Sequence, residues 1–139
     1  MDKMNKKNIF LLGIPFLMLA SCAETSVSDA QATYCQELAN LEIAIVNFQG
    51  LSADSTVKEL KQAQEQVRSA FATVKQAAST LEDAKVEQLE TSQQNLEKAV
   101  KDIPDDATLV EALTSVSDKV GSVSEARQEL FSSANCTSQ

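Results

Sequence analysis

The sequence predicts an all-α protein, an antiparallel helical bundle, and three observations support this fold class. Apolar residues recur every three or four positions along most of the chain, which is the period of one face of an α-helix. Glycine and proline, which interrupt helices, are scarce, with 3 Gly and 2 Pro in 139 residues. Tryptophan is absent and aromatic residues make up 4% of the chain, so the core must consist mainly of Leu, Val, Ile and Ala.

The first predicted helix ends at Gly50, because glycine favours helix ends. Side chains spaced by three and four residues define its apolar stripe: Tyr34, Leu38, Leu41, Ile45 and Phe48. A second helix begins after Thr56, because Thr56 and Glu59 match a capping box, in which each side chain accepts a hydrogen bond from the backbone N–H of the other residue. Its stripe contains Val57, Leu60, Gln64, Val67, Phe71, Val74, Ala78 and Leu81.

The helical spacing of apolar residues is interrupted after Leu81, because the next apolar residue of the pattern comes five positions later and a spacing of four would continue the stripe. The stripe that begins there contains Val86, Leu89, Gln93, Leu96, Val100 and Ile103. Pro104 ends that segment, and we expect the acidic residues beside it, Asp105 and Asp106, to act as N-caps and helix-dipole partners. The last helix carries the stripe Leu109, Leu113, Val116, Val120, Val123, Arg127 and Leu130. Amphipathic helices with one apolar stripe are therefore predicted along most of the chain.

This interruption permits two architectures. In the first, the chain turns within residues 78–83, where Ser79 and Glu82 match a capping box, and four antiparallel helices result. In the second, residues 56–102 form one long helix, and the first and last helices fold back along its two halves as antiparallel arms. We favour four helices because they bury more core per residue, although no Gly or Pro interrupts residues 51–103.

The N-terminus has the pattern of a secretory signal peptide. Lys3, Lys6 and Lys7 precede an apolar run over residues 9–20. The run is about 12 residues long, which is shorter than the roughly 20 residues that cross a bilayer as a helix. We therefore predict that residues 1–21 are a signal peptide and not a membrane-spanning anchor.

The tetrad Leu19-Ala20-Ser21-Cys22 directly follows this run and resembles the lipobox of bacterial lipoproteins. The resemblance implies that the Cys22 thiol receives a diacylglycerol, that cleavage precedes this cysteine, and that acyl chains such as palmitate hold the mature protein on the extracytoplasmic side of a membrane. Two or three acyl chains anchor a protein stably, whereas one is marginal. Residues 22–32 would form the lipidated N-terminus and a short tether, residues 33–136 the helical domain, and residues 137–139 a tail.

The two remaining cysteines, Cys35 and Cys136, lie near the ends of the predicted helical domain. A cysteine pair outside the cytoplasm is readily oxidised, so we predict a disulfide between them. The bond would close a loop of about 100 residues and contribute roughly 4–5 kcal/mol in the chain-entropy model. Both architectures allow it, because each returns the end of the chain to the neighbourhood of its beginning.

The net charge of the chain argues against nucleic-acid partners. It is −8, and removal of residues 1–21 takes away three lysines and one aspartate, so the mature chain carries −10. An acidic surface repels phosphate backbones and anionic lipid headgroups. We expect neither nucleic-acid binding nor electrostatic attachment to a membrane, so the lipid on Cys22 would supply the anchor.

The residues offer little catalytic chemistry. The chain has no histidine, which is the commonest general base and a frequent zinc ligand. With Cys22 lipidated and the other two cysteines paired, no thiolate remains. Gly50 and Gly121 are the only glycines after residue 21, too few for a glycine-rich phosphate-binding loop. We expect no enzymatic activity, no cofactor and no metal.

Two sets of polar residues are candidates for a site. Three groups of carboxylates have the composition of acid–base pairs or calcium ligands: Glu82/Asp83, Glu87/Glu90 and Asp102/Asp105/Asp106. Side chains of neighbouring residues on a helix point apart, so we favour a solvated surface role for these carboxylates. Gln64, Gln93 and Arg127 interrupt apolar stripes, where polar residues set register or line a ligand cavity. For Arg127 we favour a stem that lies on the core with its head group in water.

Beyond the lipobox, the mature chain is similar to small helical lipoproteins of the bacterial envelope that carry a cysteine near each end of the domain. The shared motifs are Tyr34-Cys35, Ile103-Pro104-Asp105-Asp106-Ala107-Thr108-Leu109 and the terminal Cys136. The resemblance implies a membrane-anchored location and no particular activity. We expect an interaction or scaffold protein of the cell envelope whose partner is another envelope protein. The alternatives are a small-molecule binding module and, less favoured, an enzyme.

Overall fold

Four α-helices follow one another in the described part of the computed structural model, residues 27–82 and 84–137. They are α1 (Val27–Gln49), α2 (Val57–Ala78), α3 (Glu87–Lys101) and α4 (Leu109–Ser133). Short connections join helices that are in contact, since α1 packs along α2, α2 along α3, α3 along α4, and α4 back along α1. Because the described residues also contain no strand, the predicted all-α bundle of four antiparallel helices is confirmed.

The core of the bundle is built from the predicted stripes. Every member of the first stripe, from Tyr34 to Phe48, is at most 2% exposed. The most deeply buried members of the other three stripes are Leu60, Val67, Val74, Leu89, Leu96, Val116 and Val123. Removing such apolar side chains from water contributes about 25 cal/mol per Å² of buried area, so these stripes hold the helices together.

The turn between α2 and α3 excludes the alternative architecture. α2 ends at Ala78 and α3 begins at Glu87, so the single long helix is wrong. The predicted capping box of Ser79 and Glu82 is also wrong. Ser79 is instead the C-cap of α2, because its backbone N–H still donates to carbonyl oxygens of the last turn and its hydroxyl donates to the Gln76 carbonyl oxygen at 2.6 Å. α3 begins without any side-chain cap.

A capping box lies at the N-terminus of α2 and another at the N-terminus of α4. The predicted box of Thr56 and Glu59 is confirmed, with both reciprocal hydrogen bonds present. α4 begins in the same way, since the Thr108 hydroxyl accepts from the Glu111 N–H at 3.3 Å and the Glu111 carboxylate accepts from the Thr108 N–H at 3.0 Å. The expected N-cap role of the acidic residues beside Pro104 is therefore wrong, although the same T-x-x-E spacing is visible in the sequence.

The first helix begins earlier than the sequence predicts. α1 starts at Val27, inside the segment 22–32 that was expected to be a tether. Ala30 is buried, and the Gln31 side-chain amide donates a hydrogen bond to the Ala134 carbonyl oxygen at the end of α4. This contact between segments 103 residues apart supports helical structure where the local sequence has no apolar stripe. Residues 22–26 lie outside the described residues.

Candidate functional site

A disulfide joins the two ends of the bundle domain. Cys35, in the third turn of α1, is bonded to Cys136, which follows α4, and their Cα atoms are 5.5 Å apart. The two residues are 101 positions apart in the sequence, so the bond closes a loop that contains nearly the whole domain. The predicted cysteine pair is confirmed. We call this end of the bundle, where α1 begins, α2 turns into α3, and α4 ends, the disulfide end.

A Schellman motif places Cys136 for this bond. Asn135 has a φ of 53°, in the left-handed region that asparagine tolerates better than most residues. Its backbone N–H donates to the Ser132 carbonyl oxygen at 3.1 Å, and the Cys136 N–H donates to the Phe131 carbonyl oxygen at 3.1 Å. This pair of bonds ends α4 and turns the chain back toward α1. The sequence signal for this motif is an asparagine a few residues after Leu130, the last member of the helical stripe.

Arg127 is the most unusual residue near this end because it is a buried charge. Only 8% of it is exposed, and its Nε donates to the Leu38 carbonyl oxygen at 2.9 Å. Its Nη1 lies 3.2 Å from the Glu42 carboxylate, and its guanidinium carbon lies 4.7 Å from the centre of the Phe131 ring. The expectation that its head group is in water is wrong. The guanidinium remains inside because a carboxylate, a carbonyl and an aromatic face together replace its hydration.

The two glutamines that interrupt apolar stripes are also buried. Gln64 is 5% exposed, and its side-chain nitrogen has no hydrogen-bond partner. Gln93 is 4% exposed, and its side-chain nitrogen donates to the Glu97 carboxylate at 3.4 Å. Gln64, Gln93 and Arg127 are not among the residues that line the cleft at the disulfide end.

That cleft opens at the disulfide end, between the beginning of α1, the connection from α2 to α3, and the end of α4. Its volume is about 1020 Å³, close to the upper limit of the volumes usual for sites that hold small organic molecules. Much of its wall is apolar, formed among others by Val27, Tyr34, Leu81, Ala126 and Leu130. We call it the disulfide-end cleft.

Tyr34 contributes an unpaired hydroxyl to this region. The residue lines the disulfide-end cleft, is 2% exposed, and its hydroxyl oxygen has no hydrogen-bond partner. Burial raises the pKa of Tyr34, so the hydroxyl stays neutral at physiological pH. Leaving a buried polar group unpaired costs about 1–3 kcal/mol. The sequence pattern identified Tyr34 only as a core residue, because an apolar stripe carries no information about a hydroxyl at the end of a ring.

The charged residues around the cleft are mostly acidic. Glu82, Glu87 and Glu129 line it, and Lys85 is the single cationic residue among its described lining. The cleft thus combines apolar walls with an excess of carboxylates at its edges. Sequence reasoning missed Lys85 and Glu129, since a connection and the end of a different helix meet only in the folded bundle.

Three of the carboxylates considered as acid–base pairs or calcium ligands form ion pairs with lysines. Glu90 forms an ion pair with Lys75 at 2.6 Å, Asp102 with Lys98 at 3.3 Å, and Asp105 with Lys61 at 3.4 Å. Glu82 and Glu87 line the cleft, and Asp83 lies outside the described residues. Within residues 27–82 and 84–137, no three His, Cys, Asp or Glu residues come together in a way that could hold a metal ion.

The outer face of α1 carries two exposed apolar side chains. Ile43 is 60% exposed and Val46 is 53% exposed, and their spacing of three residues places them on the same side of the helix. Both lie off the buried stripe that the sequence predicts. Among the helices of the described segment, none has the length and hydropathy to span a bilayer.

Cys22, the predicted lipid-attachment residue, lies outside the described residues, five positions before α1 begins. The predicted signal peptide, residues 1–21, also lies outside them. Comparison of the chain with protein-family models, with curated proteins and with solved structures finds no match.

Proposed function

We propose that the chain is a lipid-anchored protein of the bacterial cell envelope, held by acyl chains on Cys22 and acting outside the cytoplasm as an interaction or scaffold protein. In this function the bundle binds another envelope protein and performs no catalysis. Support for a non-catalytic role comes from the composition, since the chain has no histidine and its two cysteines beyond Cys22 are bonded to each other.

The observation that carries this proposal is the disulfide between Cys35 and Cys136. Disulfides persist in oxidising compartments such as the periplasm and the cell surface, which agrees with the export pattern of the N-terminus. The bond also accounts for two of the three cysteines, so Cys22 is the one left for lipid attachment.

The start of α1 supports a close approach to the membrane. Val27 lies five residues after Cys22, and an extended chain covers at most about 3.6 Å per residue, so the gap is no more than about 18 Å. In the proposed arrangement the disulfide end therefore faces the membrane. Confinement at a membrane surface raises the local concentration of the bundle, so a weak interface with a membrane protein suffices.

The outer face of α1 is the best candidate for that interface. Ile43 and Val46 expose apolar surface to water, which a partner with an apolar contact would cover. Placement of a photocrosslinking amino acid at residue 43 should capture an envelope protein in living cells. The same amino acid at Gln66, an exposed position on α2, serves as the control and should capture little. Equal capture at both positions, or at neither, would contradict a binding role for this face.

Replacement of the proposed lipid-attachment residue tests the anchor. Cys22→Ser should abolish labelling by radioactive palmitate and leave the precursor uncleaved, because the thiol is the acceptor of the lipid. A variant with Cys35→Ser and Cys136→Ser should keep both labelling and cleavage. A wild-type mature protein whose mass includes no lipid would refute the anchor.

The non-catalytic part of the proposal is tested separately. The purified protein should turn over no substrate in broad hydrolase screens. Turnover that disappeared on replacement of a single carboxylate would favour the enzyme instead. A second function, binding of a small molecule, is supported by one specific observation, the disulfide-end cleft with its partly apolar wall.

A further inference from the structure

We propose that two copies of the chain pair through the outer face of α1, with their α1 helices parallel and in register. The inference rests on the proposed function, because it takes this face as the binding surface and names the partner, which is a second copy of the chain. The envelope protein that a crosslinker at residue 43 captures is then the chain itself.

α1 carries a second stripe on the side opposite its buried one. Each member lies two positions before a member of the buried stripe, and we call this set the outer stripe: Ala32, Gln36, Ala39, Ile43 and Val46. Two residues correspond to a rotation of about 200° around a helix with 3.6 residues per turn. The outer stripe therefore points away from the core; Ala39 is half-buried and the other four members are exposed.

The outer stripe has the spacing of a seam between two helices. Its members are separated by 4, 3, 4 and 3 residues, which is the spacing of the a and d positions in a coiled coil. All of them except Gln36 are apolar, and the two largest apolar side chains, Ile43 and Val46, are 60% and 53% exposed. A second helix that lies along this seam removes both from water, which favours association.

The charge of the chain points to a second copy as the occupant. From Ala32 to the end of α1, no exposed position holds a charged residue, whereas exposed positions of α2, α3 and α4 hold residues of both signs. The chain has a net charge of −8, so two copies repel each other over most of their surfaces. On the outer stripe two acidic chains can meet without like charges between them, whereas a basic partner would find no carboxylate there.

The nearest carboxylates of α1 lie at the sides of this face. Glu42 forms an ion pair with Arg127 of its own bundle. Glu37 accepts a hydrogen bond from the Asn40 side-chain amide at 3.1 Å. Both carboxylates therefore have partners within one copy, which limits their repulsion across the seam.

The single polar member of the outer stripe suits an identical partner. Gln36 and Ile43 occupy a positions of the heptad, where a β-branched residue such as Ile43 favours a parallel dimer and one polar residue fixes register and oligomeric state. A side-chain amide contains both a donor and an acceptor. Gln36 can therefore pair with Gln36 of the second copy.

The proposed lipid anchor sets the orientation and strengthens the contact. Both copies are held at the N-terminal side of α1, so the two α1 helices leave the membrane in the same direction and like residues face each other across a two-fold axis. The outer stripe is only about 21 Å long at 1.5 Å per residue. Such a contact is smaller than the roughly 800 Å² per partner of a standard interface. Confinement to one membrane raises the local concentration, so pairing is expected there.

The test uses two full-length copies with different epitope tags in the same cells. One copy carries a photocrosslinking amino acid at Ile43, and we expect a product that contains both tags. The same amino acid at Gln66, an exposed position on α2, is the control and should give at least about tenfold less of this product, because α2 has no such seam. Capture of a different protein alone at residue 43 would overturn this inference and leave the proposed function standing. No capture at residue 43 would overturn both.

Charged substitutions at Val46 test the parallel register. Val46 is 53% exposed, so a charged side chain there leaves the core intact. Val46→Glu in both copies, or Val46→Lys in both, should lower the doubly tagged product about tenfold, because like charges then face each other. Val46→Glu in one copy with Val46→Lys in the other should restore most of it, and Gln66→Glu in both copies should leave it unchanged. A mixed pair that crosslinks no better than the like-charged pairs would overturn the parallel arrangement.

Discussion

The guanidinium of Arg127 and the carboxylate of Glu42 form an ion pair between α4 and α1, with 3.2 Å between Nη1 and Oε2. The two partners differ in environment, since the Arg127 side chain is 10% exposed and the Glu42 side chain is 39% exposed. The buried positive charge of Arg127 depends on the Glu42 carboxylate, because little water reaches the guanidinium. The glutamate, by contrast, can regain water if the arginine is removed.

This asymmetry predicts which half of the pair matters more for stability. Glu42→Met should lower the free energy of unfolding by about 2 kcal/mol, because it leaves a buried guanidinium without a carboxylate. Arg127→Met should lower it by less than about 1 kcal/mol, because an apolar stem still fills the core. Urea unfolding of both variants and of the double variant measures the difference. A larger loss for Arg127→Met would contradict the argument.

The disulfide between Cys35 and Cys136 should contribute a large share of the stability. Replacement of both cysteines by alanine should lower the free energy of unfolding by up to about 4–5 kcal/mol, since the unfolded chain regains the freedom of a long loop. Urea titration of the oxidised wild type and of the double variant tests this. Reduction of the wild type serves as the control and should give nearly the same midpoint as the variant. A loss below about 1 kcal/mol would show that the bond constrains little.

The two capping boxes predict a loss of stability in acid. Hydrogen bonds from the backbone N–H and the hydroxyl of Thr56 lower the pKa of Glu59, and those of Thr108 lower the pKa of Glu111 in the same way. A pKa that is lower in the folded state stabilises it at neutral pH. That contribution declines as the pH falls below about 4.3, the ordinary glutamate value, and is lost through the lowered folded-state pKa.

Replacement of both capping glutamates tests this pH dependence. A variant with Glu59→Gln and Glu111→Gln should be less stable than the wild type at pH 7 and should lose less stability between neutral and acidic pH. Thermal melts over that range measure both effects. The control removes two exposed carboxylates of α4 that belong to neither box, Glu125→Gln with Glu129→Gln, and should keep the dependence of the wild type. An identical pH profile in all three proteins would contradict the prediction.

The unpaired side-chain nitrogen of Gln64 predicts a stabilising substitution. Gln64→Met keeps a similar volume and removes a buried donor without a partner, so the free energy of unfolding should rise by about 1 kcal/mol. Gln93→Met is the matched control, because its nitrogen donates to Glu97, and it should gain less or lose stability. Chemical denaturation measures both changes. A loss in Gln64→Met equal to that in Gln93→Met would mean that the Gln64 amide has a partner in solution.

The sequence by itself determined the helices and most of the core. The spacing of Leu38, Leu41 and Ile45 identifies the buried side of α1, because side chains three and four residues apart lie on one face of a helix. Thr56 and Glu59 identify the start of α2 because a capping box involves only residues within one turn. The cysteine pair followed from counting, once the lipobox resemblance accounted for Cys22. These features depend on local geometry or composition, which a sequence displays directly.

Only the tertiary structure decided the features that join distant segments. Arg127 was assigned to the surface from its own helix, but it is buried because Leu38 and Glu42, more than 80 residues away, supply its partners. α1 extends back to Val27 because Gln31 meets the end of α4. The disulfide-end cleft arises in the same way, from three segments that no periodicity relates. Local spacing specifies each helix, whereas contacts across the bundle determine which polar groups find partners and which, like the Tyr34 hydroxyl, do not.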